Sequence, residues 1–156
     1  QGMGTTLVAV IVYDGYFYAI NIGDSRFYII TKKETTLVTK DHSFVQYLID
    51  NGKLSEEEAR SCPRKNVITR AVGIAEKLDV DFFSAPLSPW ESGYLLLCSD
   101  GLSNYTDQSV FENILFSSSH WFISQDEDLA KRTDALISYA NEKGGSDNIT
   151  AVIARF

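Results

Sequence analysis

The chain has 156 residues, 44% hydrophobic and 22% charged, with a formal net charge of −7. That fits one domain with one core, and the absence of any Lys/Arg cluster argues against a nucleic-acid partner. The longest apolar run, Leu7 to Tyr13, is far short of the roughly 20 residues of a membrane span.

The acidic excess is compatible with cation binding as well as with plain solubility. Cys62 and Cys98 do not make a disulfide framework. Cys98 lies in an apolar run and reads as a small buried hydrophobe, which favours a reducing compartment. With no signal-peptide pattern, the expected location is the cytoplasm. The chain opens at Gln1, two residues before Met3, and enters an apolar strand almost at once. That start suggests a piece of a longer protein.

The first third reads as strands. Thr5 to Tyr13 is rich in β-branched residues, Asp14-Gly15 is a hairpin turn signal, and Tyr16 to Ile22 alternates as the returning strand. Gly23-Asp24-Ser25 interrupts, Arg26 to Thr31 continues as a third strand, and Thr35 to Thr39 follows a polar turn as a fourth. Together they predict an antiparallel meander rather than a βαβ unit.

The middle changes character. Phe44 to Asp50 is helical, closed by Asn51-Gly52. Ser55 with Glu58 forms a capping-box pattern for a short helix to about Ser61, which Pro63 stops. Residues 63–73 read as loop with a short extended piece. Leu78 to Phe83 alternates as a strand, Pro86 to Gly93 is a turn-rich link, and Tyr94 to Cys98 is a fully apolar strand. Thr106 is placed to cap a helix from Asp107 to about Phe116. Ser124 with Glu127 is a second capping box, and Leu129, Thr133, Leu136 and Ala140 line one helix face to about Asn141. Gly144-Gly145 follows, then a closing strand from Asn148 to Phe156. The class is α+β, with helices outside sheets.

Three aspartates share a context. Asp24 follows a strand inside Gly-Asp-Ser-Arg, Asp100 follows one inside Ser-Asp-Gly, and Asp147 precedes one inside Ser-Asp-Asn. Small neighbours let backbone and water approach a ligand. Carboxylates gathered at strand ends repel unless a cation lies between them, and hard oxygen donors suit Mg²⁺ or Mn²⁺. Each aspartate alone is equally ordinary turn chemistry, and spacing does not show that the three converge. With only His42 and His120, a His-rich zinc site is not indicated. Nucleophile-elbow and Walker-type patterns are absent.

Five segments in order give a specific resemblance: "GMGTTLVAVIV", "INIGDSRFYII", "LVTKDHSFVQYLIDNGKLSEEEARSCPRKNVITRAVG", "YLLLCSDGLSNYTD" and "ANEKGGSDNITAVIARF". Together they resemble the C-terminal part of the metal-dependent serine/threonine protein phosphatases of the protein phosphatase 2C-like (PPM) type, in the bacterial branch. The resemblance covers essentially the whole chain, so residues 1–156 are expected to form a single, incomplete catalytic domain.

The resemblance implies an αββα sandwich of two antiparallel sheets flanked by helices. Two Mn²⁺ or Mg²⁺ ions, with a third weaker site, would activate water for attack on phosphoserine or phosphothreonine without a covalent enzyme intermediate. Asp100 and Asp147 match core metal ligands, and Asp24, with Asp100, matches the third site. Residues 43 to about 66 match the flap bordering the substrate groove, with Arg64 and Asn66 as groove candidates; they can equally be residues of a helix-ending loop. Arg26 and Arg70 read as ion-pair residues, and His42, in Asp-His-Ser, as structural rather than as a general acid. Phosphorylated proteins are the implied substrates and a serine/threonine kinase the implied opponent.

One departure matters. The family's early Asp-Gly-x-Gly-Gly motif, whose aspartate bridges both metals, does not occur in this chain; Asp14-Gly15 continues as Tyr16-Phe17. The expectation is an incomplete metal site, inactive alone, with sheet edges left for self-association. The alternatives are an inactive pseudophosphatase or phosphoprotein-binding module, and an unrelated α+β domain.

Overall fold

The structure, a computed structural model, describes residues 2–117 and 125–156. Among the described residues, seven strands form two antiparallel sheets. The chain divides into two compact units, residues 1–25 with 39–86, and 26–38 with 87–156. Each sheet lies within one unit.

The first unit holds β1 (Leu7–Tyr13), β2 (Tyr16–Ile22) and β5 (Asp81–Pro86), in the order β1-β2-β5. Asp14 and Gly15 both have positive φ, 50° and 74°. Two left-handed residues make the tight turn whose twist matches the strands, and Tyr13 pairs directly with Tyr16. Helices α1 (Phe44–Asp50) and α2 (Glu56–Arg60) belong to this unit. The Ser43 hydroxyl caps α1, and α2 carries the expected capping box of Ser55 and Glu58.

The second unit holds β3 (Arg26–Ile30), β4 (Thr35–Leu37), β6 (Tyr94–Cys98) and β7 (Ala151–Arg155), in the order β4-β3-β6-β7. Helices α3 (Asp100–Ser103), α4 (Gln108–Leu115) and α5 (Gln125–Glu142) accompany it. Tyr28, Ile30, Tyr94, Leu96 and Cys98 form one core with Leu102, Phe111, Leu115, Leu136 and Ala140. Phe27, Ile29 and Leu95, on the other face of the same sheet, are also buried. A sheet buried on both faces explains why β3 and β6 read as apolar runs instead of alternating. Each such side chain contributes roughly 1.5–3 kcal/mol.

Several expectations are corrected. The meander breaks after β2: β2 pairs with β5 and β3 with β6, so β2 and β3 lie in separate sheets. Gly23, at φ 104°, redirects the chain between them. Strand β5 begins three residues later than predicted, because pairing of Asn21 with Asp81 and Tyr16 with Pro86 sets its register. Its end at Pro86 suits an edge strand. Asp107, not Thr106, caps α4; its carboxylate accepts from the Val110 amide at 3.0 Å. The Thr106 hydroxyl instead donates back to the Leu102 carbonyl. Helix α3 was not predicted. The Ser124 capping box and His120 lie outside the described residues. Neither cysteine is in a disulfide, and Cys98 is buried. Among the described residues no helix is long and apolar enough to cross a membrane.

Candidate metal centre

Asp100 begins α3 directly after β6, and Asp147 lies in the loop before β7. Pairing of β6 with β7, Cys98 opposite Ala151, brings those two ends together. Ser99 extends the contact. Its amide donates to the Thr150 carbonyl at 3.1 Å, its hydroxyl accepts from the Thr150 amide at 3.0 Å and donates to the Asn148 carbonyl at 3.1 Å. Gly101 completes it: a Cβ there would collide with the Asn148 carbonyl oxygen. Thus each residue of Ser-Asp-Gly has a separate task, with the serine and glycine clamping the Asp147 loop beside the Asp100 carboxylate. Farther out, the Tyr105 hydroxyl meets the Ser146 hydroxyl at 2.8 Å, one residue from Asp147.

The electrostatics agree with that placement. Asp100 is half-buried, and its carboxyl is pushed above its ordinary value, first by burial and then by the negative charge of Asp147. Backbone amides and Arg26 pull the other way without reversing the shift. Two carboxylates in mutual repulsion, one partly desolvated, are donors that a hard cation would relieve. Arg26 itself donates to the Tyr28 hydroxyl at 3.1 Å.

Asp24 is half-buried and belongs to the first unit, in the turn after β2. Among the described residues no group of three or more His, Cys, Asp or Glu side chains is arranged to hold a metal. The residues present therefore fit part of a coordination sphere: the Asp100–Asp147 pair could supply two carboxylates.

Arg64 and Asn66 are exposed, in the turn that follows α2. The Arg64 guanidinium lies over the Phe44 ring, 4.1 Å from its centroid, a cation–π contact tying this turn to the start of α1. Arg70 is an ion-pair residue, as expected, bonded to Asp79 at 3.0 Å and Asp81 at 2.8 Å. Burial alone would raise Asp81, but hydrogen bonds from His42 and Arg70 offset it and hold its carboxyl below the ordinary value. His42 is buried, with its Nε2 3.1 Å from Asp81. The sequence marks it only by its place in Asp-His-Ser. The roles of Ser99 and Tyr105 carry no sequence signal of their own, because each depends on a partner more than 40 residues away.

Comparison with known proteins places the chain in a class. Its homologues are bacterial serine/threonine phosphatases of the protein phosphatase 2C type, and it corresponds to a portion of them. The serine/threonine phosphatase stp of Listeria welshimeri is 40% identical over 153 residues, 98% of this chain and 57% of that protein. A crystal structure of a bacterial serine phosphatase superposes with a TM-score of 0.88 at 32% identity, over 99% of this chain and 59% of that one. The catalytic domain of the serine/threonine protein phosphatase PstP, solved in complex with two manganese ions, gives a TM-score of 0.74 at 33% identity, over 97% and 58%. The fold is thus that of the protein phosphatase 2C-type enzymes. The chain spans somewhat more than half the length of these relatives. No family model matches it.

Proposed function

We propose that this chain is the C-terminal portion of the catalytic domain of a Mn²⁺- or Mg²⁺-dependent phosphoserine/phosphothreonine protein phosphatase. The observation that carries the reading is the Asp100–Asp147 pair, clamped by Ser99 and Gly101, in which burial and then Asp147 raise the Asp100 carboxyl. Homology to bacterial phosphatases, one solved with two manganese ions, supports it.

Asp100 and Asp147 would hold the core metals, and Asp24 would serve a third. When bound, such ions supply activation of water and neutralisation of phosphate charge. The chain's own contribution is to fix both carboxylates against the end of β6. Arg64 and Asn66, in the flap of residues 43–66, would shape the groove for a phosphorylated protein. In the reaction water adds to phosphorus, the serine or threonine oxygen leaves and takes a proton, and inorganic phosphate results.

Two carboxylates do not complete a two-metal site, and Asp14-Gly15 is spent in the β1–β2 hairpin. Residues 1–156 alone would therefore be inactive, as one incomplete domain. The same observation supports a second reading, a phosphoprotein-binding module without turnover. Exposed Leu7, Ile11 and Tyr13 on the edge strand β1 support self-association. The setting would be cytoplasmic, opposite a serine/threonine kinase.

The test is hydrolysis of a phosphothreonine peptide by this chain with and without Mn²⁺, with Asp100→Asn as control. No turnover is expected from either. Turnover that survives Asp100→Asn would sink the metal-site assignment. Turnover requiring both Mn²⁺ and Asp100 would show that the missing donors are supplied, for instance by a second copy.

A further inference from the structure

We propose that His42 is the positioning residue of the Gly23-Asp24-Ser25 turn, setting where Asp24 stands by gripping Gly23 with both side chain and backbone. The inference rests on the reading of Asp24 as a metal ligand. The Gly23 amide donates to Nδ1 of His42 at 3.1 Å, and the His42 amide donates to the Gly23 carbonyl at 2.9 Å. The His42 carbonyl is in turn held by the Thr69 amide at 2.7 Å.

The tautomer follows from these contacts. Because Nδ1 accepts, the neutral ring carries its proton on Nε2, which faces Asp81 Oδ2 at 3.1 Å. Arg70 Nη1, 3.1 Å from the same nitrogen, donates to Asp81 Oδ1 at 2.8 Å. A ring engaged at both nitrogens has none left for a phosphate leaving group. Its geometry makes it a strut between β5 and the turn after β2.

The turn it holds is tightly packed. Gly23 has φ 104°, and a Cβ there would run into Thr6. Thr6 also meets Ser25, hydroxyl to hydroxyl at 2.9 Å. Asn21 Nδ2, fully buried, braces the same carbonyl at 3.3 Å and that of Lys40 at 3.0 Å. The His42 ring takes the Gly23 amide, in the residue before Asp24.

The first experiment uses the unaltered 156-residue chain, ¹⁵N-labelled. A scalar coupling between the Gly23 amide nitrogen and His42 Nδ1 is expected; its absence overturns the strut. Two variants then separate positioning from bulk stability. Asn at position 42 places an acceptor near Nδ1, and Gln places a donor near Nε2. His42→Asn should retain Gly23 amide protection, while His42→Gln loses about tenfold. Mn²⁺ broadening of the resonances of residues 23–25 should survive in the first and fade in the second. Equal loss in both variants, following their Tm, makes His42 merely structural and overturns the proposal. If a variant does not fold, the coupling decides alone. Asp24→Asn is the control for the underlying reading. Broadening unchanged in that variant removes Asp24 from the metal site, while the coupling and Gly23 exchange still decide the strut.

Discussion

Ser99 and Thr150 are joined in both directions, amide to carbonyl at 3.1 Å and amide to side-chain hydroxyl at 3.0 Å. This double link, with the bond from the Ser99 hydroxyl to the Asn148 carbonyl, ties residues 148–150 to the residue that precedes α3. Ser99→Ala should leave the Thr150 amide and Asn148 carbonyl to water or to nothing. Because both bonds are exposed, a loss of about 0.5–1.5 kcal/mol is expected, with weaker Mn²⁺ binding. Urea unfolding and calorimetric titration check the two effects separately.

Gly101→Ala should be worse. The added methyl meets backbone, the Asn148 carbonyl, which cannot move without carrying Asp147 away from Asp100. A destabilisation of roughly 2 kcal/mol or more is expected from such overpacking, together with loss of Mn²⁺ binding. A variant with wild-type Tm and affinity would show that the clamp is looser than described.

Asp100→Asn should raise the stability of the metal-free chain at pH 7. An acid whose folded pKa is raised costs stability once pH exceeds its unfolded value, because the folded state disfavours the charge. Burial and Asp147 are the causes here, and the neutral amide escapes both. The same change should abolish Mn²⁺ stabilisation. Thermal melts with and without Mn²⁺ would show the two curves crossing; a lower metal-free Tm for the variant would argue against repulsion at this site.

Asp81 has the opposite sign. Its carboxyl is held below its ordinary value of 3.8 by His42 and Arg70 against the effect of burial. It therefore contributes stability above that value, and the contribution is lost as pH falls further through the folded pKa. Asp81→Asn should be less stable than wild type at pH 7, the gap closing below about pH 4. Equilibrium unfolding at pH 7, 5 and 3 tests this; a constant gap would place the effect in packing.

Arg132 is buried, 7% exposed, and locks α5 to the end of α4. It donates to the carbonyls of Ile114 and Leu115 at 2.8 and 2.7 Å, to Ser117 at 3.1 Å, and to Asp128 at 2.8 Å. Arg132→Met should cost about 3–5 kcal/mol, because Asp128 and the helix-end carbonyls lose their donor together. Urea unfolding measures it.

Local signals carried the elements. The positive-φ turn at Asp14-Gly15, the capping box of Ser55 and Glu58, and the apolar face of Leu136 and Ala140 all act within a few residues, and each stands where its pattern placed it. The expected strand bounds failed where a distant partner intervened, and the expected cap failed to a nearer competitor. Strand β5 took its register from β2, and Thr106 lost the cap to a neighbour whose carboxylate reaches the Val110 amide. Arg132, four residues before Leu136 on the core-facing side, gave no hint of burial, because its partners at 114–117 are remote in sequence.

For the site, the sequence alone determined the candidates: aspartates at strand ends, next to residues small enough for close approach, in an order that resembles one phosphatase family. It could not determine proximity. That Asp100 and Asp147 repel one another, that Ser99 and Gly101 grip the loop carrying Asp147, and that His42 is engaged at both nitrogens were decided by tertiary structure. The physical reason is that pairing of β6 with β7 joins segments more than 50 residues apart, and hydrogen bonds and Coulomb forces act over distances in space rather than along the chain.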